Sequence, residues 1–122
     1  MGYHVLGASE LDPTPDRPSV QRAIADAAGL EQFGLNLYEP DPGEQVPLSY
    51  HYHTEQEEAL YVIEGSITVE TPEGEHSLAR DEIFIAEPES PHRAYNPEGA
   101  ERTARVLAVG APRVSDAEVY EP

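Results

Sequence analysis

Proline and glycine interrupt this chain so often that long helices are nearly excluded after residue 30. The 122 residues include 12 prolines and 9 glycines, and such residues mark turns. Turn-forming groups stand at residues 41–43, 64–65, 72–74 and 96–99. Short strands fit the intervals, and we predict seven of them, over residues 32–39, 49–53, 59–63, 66–71, 82–86, 92–95 and 102–109. Many short strands in one small domain predict an all-β fold, an antiparallel sandwich or barrel.

The first thirty residues are predicted to form an N-terminal arm with one short helix. We expect this helix over residues 19–28, because Pro18 precedes it and Gly29 is placed to end it. Residues 31–122 then form the barrel. A chain of this length supports a single domain overall.

The charge of the chain excludes two classes of partner. Its 24 acidic and 7 basic residues leave a net charge of −17, and every basic residue is an arginine. Nucleic acids and anionic membranes are bound by clustered cations, which this chain lacks. We therefore expect no nucleic acid and no membrane among its partners, and a small molecule instead.

Several features of the composition concern the compartment. No apolar run is long enough to span a membrane, and residues 1–10 lack the basic start and long apolar stretch of a secretory signal. Cysteine is absent, which fits a reducing compartment. We expect a cytoplasmic protein. An acidic excess without lysine favours a halophilic, salt-rich cytoplasm, where charge repulsion is screened; an acidic protein of an ordinary cell is the alternative.

Histidines and carboxylates on the predicted strands form a candidate metal site. His51 and His53 are two residues apart, so a strand places both imidazoles on one face. Glu57 and Glu58 follow closely, and His92 opens a later strand. Three imidazoles and one carboxylate suit a divalent transition metal and leave coordination positions open. A structural or surface role for each histidine is the alternative reading; for His4 and His76, which match no motif, we expect solvent exposure.

Two segments in order resemble the paired motifs of the cupin superfamily. Residues 43–65 read GEQVPLSYHYHTEQEEALYVIEG, which is similar to the first motif: a glycine, His-x-His, a glutamate after three or four residues, and a glycine after six more. Six residues separate Glu58 from Gly65, so the resemblance selects Glu58 as the ligand, with Glu57 as the competitor. A bulge at the start of the strand would exchange the two.

The second motif is matched by residues 81–96, DEIFIAEPESPHRAYN. It supplies His92 as the last ligand and has Asn96 in place. The segment departs from the family at three turn positions: Asp81, Glu87 and Glu89 stand where the family usually has glycine, proline and glycine. The resemblance covers residues 32–109 and implies a small β-barrel, or jelly roll.

The resemblance implies a single-domain cupin that binds one divalent transition metal (Fe, Mn, Zn or Ni). The expected ligands are His51, His53, Glu58 and His92. Among enzymes we rank a non-haem Fe(II) dioxygenase first. The alternatives are an isomerase or related small-molecule enzyme, a non-catalytic metal or small-ligand binding module, and a structural dimeric barrel. Family habit also favours a homodimer, built through the N-terminal arm and one sheet of the barrel.

Strand alternation predicts which side chains line the pocket beside the metal. Leu60 and Val62 are two and four residues from Glu58, so they lie on the same face of the strand and should point inward. We expect Phe84, or Ile83 and Ile85, to close the pocket. By the same rule the tyrosines point away from the metal; these are Tyr50, Tyr52, Tyr61 and Tyr95. Arg105 either points inward, as an anchor for a substrate carboxylate, or pairs with acidic groups on the surface.

Overall fold

The computed structural model describes residues 2–122, and its regular structure is almost entirely β. After a 3₁₀ turn at Ala8–Glu10, the elements are β1 (Val20–Ala23), α1 (Ile24–Ala28), β2 (Gly34–Glu39), β3 (His51–His53), β4 (Glu57–Glu64), β5 (Ser66–Thr71), β6 (Gly74–Ala79), β7 (Ile83–Ala86), β8 (Arg93–Tyr95), β9 (Arg105–Ala111) and β10 (Ala117–Val119). The predicted all-β class is confirmed.

The strands form antiparallel sheets that enclose one core. One wall is a five-stranded sheet in the order β1-β2-β9-β4-β7. The opposite wall has a three-stranded sheet, β6-β5-β8, and a two-stranded sheet, β10-β3. An isolated bridge between His51 and His92 joins β3 to the segment just before β8. The core between the walls contains aliphatic side chains from both; among them are Leu60, Val62, Ile67, Val69 and Val106. This is the predicted jelly-roll barrel.

The sequence predicts seven strands, and the structure has ten. Strand β5 has its predicted bounds, and the other predicted strands differ at their ends by a few residues. The three strands that were missed are β1, β6 and β10. β6 exposes five of its six residues and β10 exposes all three, so neither carries the alternating apolar pattern by which a strand is recognised.

The predicted helix over residues 19–28 is wrong in its first half. Val20–Ala23 is strand β1, paired antiparallel with β2, and only Ile24–Ala28 is helical. Gln21 faces the core in this strand and donates a hydrogen bond from Nε2 to the Tyr38 hydroxyl, at 2.8 Å. Tertiary pairing therefore overrides the local preference. Gly29 ends the helix in the left-handed conformation, with φ of 70°, as predicted.

Asp81 and Glu89, the two residues that stand where the resembled motif usually has glycine, keep the backbone conformation of a glycine. Asp81 has φ of 74° and Glu89 has φ of 65°, both in the left-handed region that glycine adopts most readily. Asp81 also accepts a short hydrogen bond from the Tyr61 hydroxyl. The turns around the site are thus preserved without the glycines.

Gly65 is a position where a side chain would not fit. Its φ is 75°, and a Cβ atom there would lie 3.0 Å from the Ala104 Cα and 3.2 Å from the Thr103 carbonyl oxygen. We expect Gly65→Ala to lower the free energy of unfolding by about 2 kcal/mol or more, because left-handed backbone strain adds to a backbone clash. Urea unfolding measures this. Gly99→Ala, where a Cβ atom would have no neighbour within 4 Å, is the control, and an equal loss in both variants would contradict the prediction.

Salt should stabilise the fold. A net charge of −17 stores repulsion that ionic screening relieves. We expect the melting temperature to rise by at least about 5 °C between about 0.1 and 1 M NaCl. A melting temperature independent of salt would remove the argument for a salt-rich cytoplasm, which stays a prediction.

The homodimer also stays a prediction. Ile83 and Ile85 on edge strand β7 are 53% and 65% exposed, and Val5 of the N-terminal arm is 99% exposed, so both predicted contact regions present apolar surface. Of the four tyrosines predicted to point outward, Tyr50 is already in contact within the chain, since its ring packs at a tilt against that of Tyr120 with centroids 4.9 Å apart. Sedimentation should give twice the mass of one chain, and a monomer at molar salt would contradict this.

None of the helices formed by residues 2–122 has the length and apolar character needed to cross a membrane.

Candidate metal centre

Strand pairing brings the predicted histidines together at one end of the barrel. His51 and His53 alternate on β3 and so share a face. His92 lies directly opposite His51: the backbone N–H of His92 donates to the His51 carbonyl at 2.9 Å, and that of His51 donates back at 3.3 Å. The ring centroid of His51 lies 4.9 Å from that of His53 and 4.8 Å from that of His92.

Glu58 enters the same space from the five-stranded sheet. Its Oε1 lies 2.9 Å from Nε2 of His92, and its Oε2 lies 3.7 Å from Nε2 of His53. One ligand atom from each of His51, Glu58 and His92 lies within 4.8 Å of the others. These three residues are therefore positioned to bind a metal ion. Glu57, the competing carboxylate, is exposed.

Each histidine uses Nδ1 for a hydrogen bond away from this space. Nδ1 of His51 donates to the Ser49 carbonyl at 2.9 Å, and Nδ1 of His92 donates to the Ser90 carbonyl at 2.8 Å. Nδ1 of His53 contacts Asp116 Oδ1 at 2.8 Å. With the proton held on Nδ1 by these acceptors, a neutral ring has its lone pair on Nε2, and this is how metal-binding histidines are oriented.

The charges of the site keep its carboxylate ionised. Burial alone would raise the pKa of Glu58, but His53 and His92 outweigh it and lower that pKa to about 2. Burial lowers the pKa of His51, which favours its neutral, ligating form. The carboxylates of Glu58 and Asp116 raise the pKa of His53. The site thus combines an ionised oxygen donor with imidazole nitrogens.

The donor set fits a divalent transition metal. Nε2 of His53 is buried without a hydrogen-bond partner among the described residues, and such an atom needs either a donor or a cation. Imidazole nitrogens with one carboxylate suit iron, manganese, nickel and zinc. His51, His53, Glu58 and His92 are the residues that would hold the ion, with His53 as the added ligand.

The site lies in a cavity of about 150 Å³. Leu60 lines it, as predicted, together with Tyr38, Val46 and Ala94. Val62 is fully buried in the core instead. Phe84 packs against the core, with its ring centroid 5.6 Å from that of His92. The alternative that Ile83 and Ile85 close the pocket is wrong, because the register of β7 turns both outward.

The outward prediction for the tyrosines is confirmed, and the inward option for Arg105 is wrong. The cavity-lining residues include none of Tyr50, Tyr52, Tyr61 and Tyr95. Arg105 pairs with Glu39 at 3.2 Å between Nε and Oε2, on the outer side of the barrel. Asn96 is also structural: its buried Nδ2 donates to the carbonyls of Pro40 and Arg102, at 3.0 and 2.9 Å. His4 and His76 are exposed, as predicted.

Asp116 was missed by sequence reasoning. Besides its contact with His53, its Oδ2 accepts hydrogen bonds from the backbone N–H groups of Glu55 and Gln56, at 2.7 and 2.8 Å. Burial would raise its pKa, but these donors and His53 lower it to about 2. It precedes β10, whose pairing with β3 brings it to the site. No motif or spacing marks it in the sequence.

The small antiparallel barrel thus brings two histidines and a glutamate into one cavity, where they are positioned to bind a metal ion. Residues 36–110 match the sequence profile of the Cupin domain family, and the chain belongs to that family. No curated protein sequence gives a significant match.

Solved structures share the fold. A sugar phosphate isomerase of the cupin superfamily from Silicibacter pomeroyi has a TM-score of 0.70 at 30% identity, over 77% of this chain and 59% of that one. A putative sugar phosphate isomerase from Acidithiobacillus ferrooxidans has a TM-score of 0.71 at 27% identity, over 81% and 62%. This chain spans less than two thirds of either. The polyketide cyclase RemF from Streptomyces resistomycificus has a TM-score of 0.80 at 20% identity, over 98% and 87%, a likeness of fold alone.

Proposed function

We propose that this cupin is a metalloenzyme that acts on a small molecule and holds one divalent transition ion through His51, His53, Glu58 and His92. The observation that carries the proposal is the approach of an ionised carboxylate to two imidazole nitrogens, at 2.9 and 3.7 Å. Both imidazoles carry their Nδ1 proton toward other partners. An imidazole nitrogen and a carboxylate oxygen this close share either a proton or a metal ion, and with Nδ1 already protonated a metal ion is the cation that leaves the rings neutral.

Within this site we propose oxidation of the bound molecule by dioxygen, with iron as the ion. When bound, Fe(II) supplies Lewis-acid and oxygen-activating chemistry and leaves positions for substrate. Glu58 is the only carboxylate among the residues that line the cavity, and as a ligand it is not free to act as a general base. Leu60, Val46 and Ala94 give the rest of the wall an apolar character. Both points favour chemistry at the ion over proton shuttling by side chains.

Isomerisation is the second candidate. Two of the similar solved structures are named sugar phosphate isomerase or putative sugar phosphate isomerase, at 30% and 27% identity. A proton transfer in this cavity would have to use a residue other than the four ligands, and Tyr38 and Ser49 are the lining residues that carry a hydroxyl group.

Metal analysis followed by two activity assays tests the proposal. Protein purified without a metal-affinity step should contain about one transition ion per chain, and iron is expected. Small 2-hydroxy and 2-oxo acids should then be screened for oxygen uptake, with chelator-stripped protein as the control. Turnover without oxygen uptake would favour isomerisation over oxidation. A ligand that binds without turnover would favour a binding module. Protein that neither contains nor takes up an ion would contradict the proposal and favour a structural barrel.

A further inference from the structure

One of the seven arginines lines the cavity, and it is Arg17 rather than Arg105. Arg17 lies on the segment before β1, and its side chain forms the cavity wall together with Tyr38, Val46 and the four metal-site residues. Apart from the histidines, it is the only cationic side chain among the residues that line the cavity. The N-terminal arm therefore gives the site a positive charge that the barrel motifs alone do not provide.

The guanidinium group of Arg17 is held in place by its neighbours. Its Nη2 donates a hydrogen bond to the Val46 carbonyl at 3.3 Å, and its central carbon lies 5.9 Å from the ring centroid of Tyr38. The Tyr38 hydroxyl in turn accepts the hydrogen bond from Gln21. These contacts restrict the side chain before any ligand binds, which lowers the entropic cost of binding.

The hydrogen-bonding capacity of Arg17 is not met within the chain. Its Nε is buried without an acceptor among residues 2–122. Four other arginines pair with carboxylates: Arg22 and Arg105 with Glu39, Arg93 with Glu70, and Arg113 with Asp26. Arg17 has no such pair within the part of the chain that the structure describes, although the chain has 24 acidic residues. Arg17 therefore has an unpaired charge beside the cavity that it lines, and an anionic ligand there would pair with the guanidinium group.

We infer that Arg17 is a specificity-determining residue that binds the carboxylate of a small substrate in the cavity beside the metal site. This inference rests on the proposed function. The cavity volume of about 150 Å³ corresponds to about five water molecules, so the enclosed part of the substrate is small. A carboxylate fits better than a phosphate, because the planar guanidinium pairs both carboxylate oxygens, whereas a phosphate has three free oxygens and the described residues of the wall include no second arginine or lysine to bind the third.

Binding of two matched probes tests the inference. Glycolate and its neutral amide, glycolamide, have nearly the same shape and differ in charge. We expect the affinity of Mn²⁺-loaded protein for glycolate to fall about 10- to 100-fold in Arg17→Gln, with glycolamide affinity unchanged. Arg17→Lys, which keeps the charge without the planar fork, should restore part of the loss. Arg105→Gln makes the same charge change outside the cavity and should leave glycolate affinity as it is.

Metal affinity, measured first by calorimetry, separates this inference from the proposed function. Arg17→Gln should bind Mn²⁺ as the unaltered protein does, because Arg17 is not a ligand. Equal glycolate affinity in both proteins would overturn the role of Arg17 while the metal site stands. If no metal binds, the proposed function fails, and the same comparison in metal-free protein still decides the role of Arg17. Inorganic phosphate that binds more tightly than glycolate, and loses affinity in Arg17→Gln, would overturn the carboxylate assignment.

Discussion

Replacement of Glu58 by glutamine should nearly empty the metal site, whereas the same change at Glu57 should leave it filled. The carboxylate of Glu58 lies against His92 and His53, and its low pKa of about 2 means that it is ionised at neutral pH. A glutamine of the same shape removes the charge and presents a weaker oxygen donor. Loss of a residue that only supports a ligand typically weakens metal binding about 10- to 100-fold, so loss of the ligand itself should exceed about 100-fold.

Glu57→Gln is a matched control because it makes the same chemical change one residue away, on the exposed side of β4. Metal content by elemental analysis and Mn²⁺ affinity by calorimetry measure both variants, and melting temperatures show whether each has folded. If Glu57→Gln lost the ion and Glu58→Gln kept it, the register of β4 would be wrong, and with it the inward placement of Leu60. The structure places the register shift of β4 between Val62 and Glu64, beyond the site, so it does not exchange the two glutamates.

The convergence of His51, Glu58 and His92 could be predicted because strand geometry and motif order constrain the same residues. Alternation on β3 requires His51 and His53 to share a face, and the resemblance to the first cupin motif, through its spacing to Gly65, favours Glu58. Neighbouring side chains on a strand point to opposite faces of the sheet, so Glu57 points away from the site when Glu58 points into it. Family glycines could be replaced without moving the turns, since Asp81 and Glu89 adopt the same left-handed backbone.

The supporting residues could not be predicted, because they reach the site through pairings of poorly patterned strands. Arg17 lines the cavity from the segment before β1, a strand whose sequence reads equally as the start of a helix. Asp116 lies 63 residues from His53 and depends on β10, which is exposed throughout. Neither belongs to a motif, and long-range pairing of short polar strands leaves no period in the sequence.

Replacement of Asp116 by asparagine should weaken metal binding about 10- to 100-fold, although Asp116 is not a ligand. One oxygen of Asp116 faces Nδ1 of His53, and the other accepts two backbone N–H groups. Asparagine has a single oxygen, so one of these sides must face its NH₂ group. If the oxygen stays with the two backbone donors, the NH₂ group meets Nδ1 of His53. The proton of His53 then moves to Nε2, and the lone pair aimed at the metal is lost.

Nitrogen NMR of the histidine rings in metal-free protein distinguishes this effect from a general loss of stability. At a pH above the raised pKa of His53, where its ring is neutral, we expect the proton on Nδ1 of His53 in the unaltered protein and on Nε2 in Asp116→Asn. His92 should be unchanged, because its Nδ1 partner is the Ser90 carbonyl. Glu118→Gln, on exposed β10 opposite Tyr52, is the charge-matched control and should keep full Mn²⁺ affinity. Unchanged affinity in Asp116→Asn would show that His53 is oriented without Asp116, or that three residues, His51, Glu58 and His92, suffice to hold the ion.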